Sequence, residues 1–195
     1  MFGNLLRGQV DRVVLPLGRT LAKTGITANA LTLAGVPIVA AGAALVAAGK
    51  LRAGGLVLVA GSVTDLLDGS IAKTTSGPTR FGGFLDSTTD RVTDGLVFSA
   101  VAWHLASDDG AGIGLALALS CLVLSFLTPY IRARAEASGY DCKVGIAERA
   151  ERVVIVAVGL VFGLLVPALG LLVVLSAITV VQRFVHVWRQ GRSAG

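Results

Sequence analysis

From Ala30 onward the chain alternates between long apolar runs and short polar turns. Six apolar runs stand out, at roughly 30–49, 53–75, 83–106, 111–133, 150–168 and 170–189. A helix crossing the hydrocarbon core needs about 20 mostly apolar residues, so six spans with their turns nearly use up the 195 residues. The turns GKLRAGG, SGPTRFGG, SDDGAG and VPALG are short enough to set neighbouring helices antiparallel. The first residues follow another pattern. From Phe2 to about Lys23, Leu5, Leu6, Val10, Val13, Leu15 and Leu17 are interleaved with Arg7, Arg12, Arg19 and Lys23, which predicts a helix lying on a membrane surface, divided or kinked at Pro16. The expected fold is an all-α integral membrane protein with six transmembrane helices and an N-terminal amphipathic surface helix. Residues 1–24 form the juxtamembrane segment and 25–195 one membrane domain.

Composition agrees with this pattern. Hydrophobic residues make up 54% of the chain and charged residues 15%, against about 25% charged in a soluble domain. The net charge of +5 raises nucleic-acid binding, but hydropathy excludes a soluble DNA-binding protein and the charge has another explanation. With the N-terminus inside, 15 of the 17 Lys and Arg residues fall on the cytoplasmic side, leaving Lys50 and Arg52 outside. That is the positive-inside asymmetry, and it predicts cytoplasmic N- and C-termini. Cys121 and Cys142 fit neither a disulfide framework nor a zinc site. Arg7 and Asp11 stand where an export signal would need its apolar core, so no cleaved signal is expected.

The second and third spans break the apolar rule together. One ends with Asp65-Leu-Leu-Asp68-Gly69, and the other begins with Asp86-Ser-Thr-Thr-Asp90-Arg91-Val-Thr-Asp94. Asp65 and Asp68 are three apart and Asp86 and Asp90 four apart, so each pair shares a helical face. A tight turn between the spans brings the pairs opposite one another at the cytoplasmic end. Ionised carboxylates so close to hydrocarbon are costly and mark a functional site. All-oxygen ligation suits Mg²⁺ or Mn²⁺, and four carboxylates can hold the metal pair used in many phosphoryl transfers. Salt bridges to Lys73, Arg80 and Arg91 are the alternative use of these acids.

Written as one string, the region reads D65-x2-D68-G69-x2-A72-K73-x8-G82-x3-D86-x3-D90. It resembles the signature of the CDP-alcohol phosphotransferase family, integral membrane enzymes of phospholipid synthesis. Lys73 stands where that family normally has Arg, which keeps the charge and loses the planar fork. The resemblance implies six spans, a homodimer in the cell membrane, and a metal site in a polar cavity open to the cytoplasm. It implies Asp65, Asp68, Asp86 and Asp90 as metal ligands, with Asp90 also the general base. It further implies contacts to CDP-diacylglycerol from Asn29, Ala30, Leu31, Thr32, Gly69, Lys73 and Thr79; helix capping is a second use for Asn29.

A narrower likeness lies downstream. Ile131-Arg132-Ala133-Arg134-Ala135-Glu136-Ala137-Ser138-Gly139, then Glu148-Arg149-Ala150-Glu151-Arg152, then Gln182-Arg183, is similar to the actinobacterial phosphatidylinositol phosphate synthase branch of the family. Arg132 replaces the usual Lys of that branch, and Ala150 the usual Pro. Arg132, Arg152 and Arg183 come from three different spans. Guanidiniums converging in one cavity suit a phosphate monoester, which Arg grips with two parallel bonds. Inositol 1-phosphate carries such a group; inositol does not. For Arg134 and Arg149, cytoplasmic anchoring and pairing with glutamate compete with this role.

The expected reaction moves the phosphatidyl group from CDP-diacylglycerol to inositol 1-phosphate, with Mg²⁺ as cofactor and CMP as the second product. Glycerol 3-phosphate or another polar alcohol is the rival acceptor. A cation transporter is the rival class, but it needs neither Gly69 directly after Asp68 nor an arginine cluster beside the acids. His104, His186 and the Gly159-x-x-x-Gly163 pair are expected to serve structure.

Overall fold

The computed structural model describes Pro16, Thr20 and residues 25–74, 77, 79–107 and 112–193, with the side chains of residues 65, 66, 68, 69, 72–74 and 193 excepted. The described residues form six helices and no strand: α1 (Ala28–Ala47), α2 (Leu51–Thr74), α3 (Arg80–Ala106), α4 (Gly112–Ala137), α5 (Arg149–Phe162) and α6 (Leu165–Ser193). Apart from Pro16 and Thr20, the expected surface helix lies outside the described residues.

Among the described residues, three helices are long and apolar enough to cross a membrane: α1, α4 and residues Leu165–Arg192 of α6. Leu51–Thr64 of α2 is a shorter apolar stretch among the described residues. Large apolar side chains point outward on every helix, among them Leu56, Trp103, Ile113, Val123, Phe162 and Phe184. Outward-facing side chains of this size, repeated around the bundle, fit a lipid environment better than water.

The helices close a ring. Going around it, α1 packs on α2, α2 on α5, α5 on α6, α6 on α4, α4 on α3, and α3 back on α1. One apolar core draws on all six, with Val46 from α1, Leu58 from α2, Val101 from α3, Ala118 from α4, Leu160 from α5 and Leu169 from α6. Small residues allow the close approaches. A Cβ on Gly54 would lie 2.6 Å from Val46 Cγ2, and one on Gly61 2.8 Å from Val39 Cγ2, so the α1–α2 seam depends on glycine.

The turn between the last two helices differs from the sequence expectation. VPALG was the expected break, yet α5 ends at Phe162 and α6 starts at Leu165. Gly163, at φ +74°, caps α5 in the left-handed conformation that glycine adopts without strain. Pro167 then falls in the first turn of α6, where its missing N–H costs nothing. Gly159 serves this same hairpin, because a Cβ there would sit 2.6 Å from the Ala168 Cβ.

Candidate active site

Three rungs of α3 carry acids into the bundle. Asp86, Asp90 and Asp94 repeat at i, i+4 and i+8, hence on one face. Asp86 is exposed, Asp90 retains 16% side-chain exposure and Asp94 only 8%; the next rung, Phe98, is core. The acidic face thus runs from the open end of the bundle to its apolar centre.

Arginines meet these acids from α5. Arg149 Nη1 lies 3.0 Å from Asp90 Oδ1, and its Nη2 donates to Thr93 Oγ1 at 3.1 Å. Arg152 Nη2 donates to Asp94 Oδ2 at 2.9 Å, with Arg149 Nε 3.8 Å from the other oxygen. Arg91 completes the group at 3.3 Å from Asp90 Oδ2. Of the salt bridges that were the alternative use of these acids, that of Arg91 is present, and the Lys73 side chain lies outside the described residues. Arg149, for which the sequence left a phosphate-binding role in competition with anchoring and glutamate pairing, contacts two aspartates.

Beside this network opens a polar cavity of about 430 Å³. Arg132, Arg152 and Arg183 all line it, as the sequence predicts, and Arg91 and Arg149 join them; Glu136 and Glu148 are the acidic members of the wall. Arg183 is buried and donates from Nε to Val144 O at 2.8 Å and from Nη1 to Thr128 O. Arg132, more exposed, donates to Glu136 Oε1 at 2.9 Å. The Nε of the buried Arg152 has no hydrogen-bond partner among the described residues.

The loop leading into α5 is strapped to α6. Thr179 Oγ1 accepts from Ile146 N and Ala147 N, and Gln190 exchanges two hydrogen bonds with the Asp141 backbone. Glu148 N donates to Glu151 Oε2 at 3.0 Å, starting α5 with Arg149 and Arg152 turned to the cavity. Cys142 is fully buried in this loop, and burial pushes its thiol up from the ordinary range, with Arg183 and Arg132 working the other way.

At the start of α1, Thr27 rather than Asn29 is the cap, accepting from Ala30 N at 3.2 Å. Asn29 is therefore released from capping. It approaches the N-terminus of α3, where a Cβ on Gly82 would lie 3.2 Å from Asn29 Oδ1 and 2.9 Å from Thr79 Oγ1. Thr79 caps α3 by accepting from Gly82 N at 2.9 Å. Asn29, Thr79 and the signature glycine Gly82 are thus neighbours. Ala30 is exposed, Leu31 half-buried, and the buried Thr32 donates its hydroxyl to Ala28 O at 3.1 Å.

Asp65, Asp68, Gly69 and Lys73 belong to the last turns of α2, but their side chains lie outside the described residues. Among the described residues no three His, Cys, Asp or Glu side chains converge as metal ligands. Asp86 and Asp90 supply the α3 half of the expected quartet, and their all-oxygen chemistry fits a hard divalent cation.

Residues 25–188 match the family described as CDP-alcohol phosphatidyltransferase. The chain is 36% identical over 193 residues to the archaetidylinositol phosphate synthase of Methanothermobacter thermautotrophicus, covering 96% of this chain and 94% of that one. It superimposes on the crystal structure of Mycobacterium tuberculosis phosphatidylinositol phosphate synthase with CDP-DAG bound at a TM-score of 0.83 and 39% identity, over 91% of this chain and 94% of the other. The same enzyme in complex with manganese and citrate gives a TM-score of 0.82 at 39% identity, over 90% and 88%.

Proposed function

Because the chain belongs to the CDP-alcohol phosphatidyltransferase family, we propose that it transfers the phosphatidyl group of CDP-diacylglycerol to inositol 1-phosphate. The products are phosphatidylinositol phosphate and CMP. The observation that carries the acceptor is the convergence of Arg132, Arg152 and Arg183 on one cavity beside Asp90. Five arginines against two glutamates in that wall favour a dianionic phosphate over a neutral polyol. The similar archaeal and mycobacterial synthases differ in the lipid part of their names and share inositol phosphate.

Asp65, Asp68, Asp86 and Asp90 hold the divalent cation, Mg²⁺ in this reading; the mycobacterial enzyme with manganese supports a divalent ion. When bound, that ion neutralises the diphosphate and the charge gathering on CMP as it leaves. Asn29, Ala30, Leu31, Thr32, Gly69, Lys73 and Thr79 bind the donor's cytidine diphosphate. The arginine wall binds the acceptor phosphate and turns an inositol hydroxyl toward Asp90. Asp90 takes the hydroxyl proton, the ring oxygen attacks the β-phosphorus, and the bond to CMP breaks.

All six helices cross the membrane, both termini face the cytoplasm, and the enzyme works as a homodimer in the cell membrane. The basic asymmetry of the sequence supports the orientation. An acceptor competition assay tests the reading: purified protein with CDP-diacylglycerol, Mg²⁺, and inositol 1-phosphate, glycerol 3-phosphate or inositol, scored by CMP release. Inositol 1-phosphate is expected to dominate. Preference for glycerol 3-phosphate moves the assignment to phosphatidylglycerophosphate synthesis, and no CMP release with any acceptor refutes transfer.

A further inference from the structure

Asp94 has no part in the reaction just described, yet it is the most buried of the three acidic rungs of α3. It is absent from the lining of the arginine cavity and stands behind it. From there Oδ2 accepts from Arg152 Nη2 at 2.9 Å, and Oδ1 lies 3.8 Å from Arg149 Nε. We infer that Asp94 is a positioning residue: it fixes the guanidiniums of Arg152 and Arg149 so that the acceptor phosphate meets a preformed wall.

A long arginine side chain is flexible, and holding several of them together is opposed by mutual repulsion. A buried carboxylate answers both problems. Asp94 holds the Arg152 guanidinium through Nη2, while the same side chain lines the cavity that receives the phosphate. Thr93, the preceding residue on α3, does the same for Arg149 by accepting from its Nη2 at 3.1 Å. The spacing has a second consequence. Asp94 lies one helical turn from Asp90, so the group proposed as base and the groups proposed to grip the acceptor share one rigid scaffold. Acceptor and base are thereby held in fixed register.

The inference rests on the proposed phosphate-monoester acceptor, and the experiment separates the two. Wild-type turnover with inositol 1-phosphate is the control; its absence sinks the acceptor reading and this inference with it. Given that turnover, Asp94→Asn is expected to raise the KM for inositol 1-phosphate roughly 10- to 100-fold, the range for one charge-assisted hydrogen bond. The KM for CDP-diacylglycerol should stay within about twofold, and inorganic phosphate should weaken in parallel as a competitor of the acceptor. Adding Asp94→Asn to Arg152→Gln should cost little more than Arg152→Gln alone, whereas adding it to Arg183→Gln should multiply the two losses. An unchanged acceptor KM overturns the role, as does equal loss for both substrates, which a merely structural carboxylate would give. If Asp94→Asn does not fold, Thr93→Val carries the same test through Arg149, and an unaltered acceptor KM there overturns the inference.

Discussion

Arg149 and Asp90 are joined across two helices, with Nη1 3.0 Å from Oδ1. The same guanidinium reaches Thr93 and Asp94, so the proposed base and the proposed phosphate wall form one network. Arg149→Gln is expected to lower kcat/KM for the acceptor roughly 10- to 100-fold, the size of a lost charged hydrogen bond. Arg149→Lys should recover only part, because an ammonium cannot span two carboxylates and a hydroxyl as the planar fork does. Steady-state kinetics on both variants decide it, and near-normal Arg149→Gln kinetics would remove Arg149 from the site.

Asp90 carries the sharpest chemical expectation. Asp90→Asn keeps the shape and an oxygen acceptor but cannot take a proton. Turnover should fall by at least about 10², while CDP-diacylglycerol still binds. Chelation with EDTA should stop turnover in the wild type, and added Mg²⁺ should restore it. CMP release together with equilibrium donor binding separates the two effects. Wild-type-like turnover in Asp90→Asn would contradict the base assignment.

Cys142 offers a probe of the loop that delivers Glu148. Its thiol is fully buried and pushed up from the ordinary thiol range, chiefly by burial. A raised value means less thiolate at a given pH, and thiolate is the reactive form. In a Cys121→Ser background at about pH 8, alkylation by iodoacetamide should be far slower for the folded protein than after denaturation. Equal rates would show that the loop does not hold the thiol in its buried site.

Much of this was legible in the sequence, and the exceptions have physical causes. The six helices followed from apolar run length and the short turns, which depend only on neighbours in the chain; the ring order, in which α2 lies beside α1 and α5, depends on packing between distant segments. The grouping of Arg132, Arg152 and Arg183 was legible because the basic residues were expected at one end of the bundle. The α5–α6 break was misplaced because Pro167 and Gly170 look like punctuation, and only coordinates show that Pro167 sits in a first turn. Asp94 and Arg149 went unassigned for a different reason. Their roles come from contacts between residues 58 and 56 positions from their partners, which no local pattern records. The i+4 spacing from Asp90 to Asp94 was the one available signal.

Gly145 tests the strap between the α4–α5 connection and α6. Its φ of +138° is a backbone state that side-chain-bearing residues rarely adopt, and a Cβ there would lie 2.6 Å from Thr179 Cγ2. That threonine accepts from Ile146 N and Ala147 N, and Arg183 Nε lies 3.5 Å from the same Cβ position. Gly145→Ala therefore combines backbone strain of about 1–2 kcal/mol with displacement of Thr179. A melting temperature lower by roughly 2–8 °C is expected. Arg183 also donates to Val144 O, so the loop's shift reaches the cavity wall, and the acceptor KM should rise more than the donor KM. Thermal unfolding in detergent and paired substrate titrations measure both effects. A variant with unchanged melting and unchanged acceptor KM would show that the strap is slack and that Arg183 is placed without the loop, by α6 and its bond to Thr128 O.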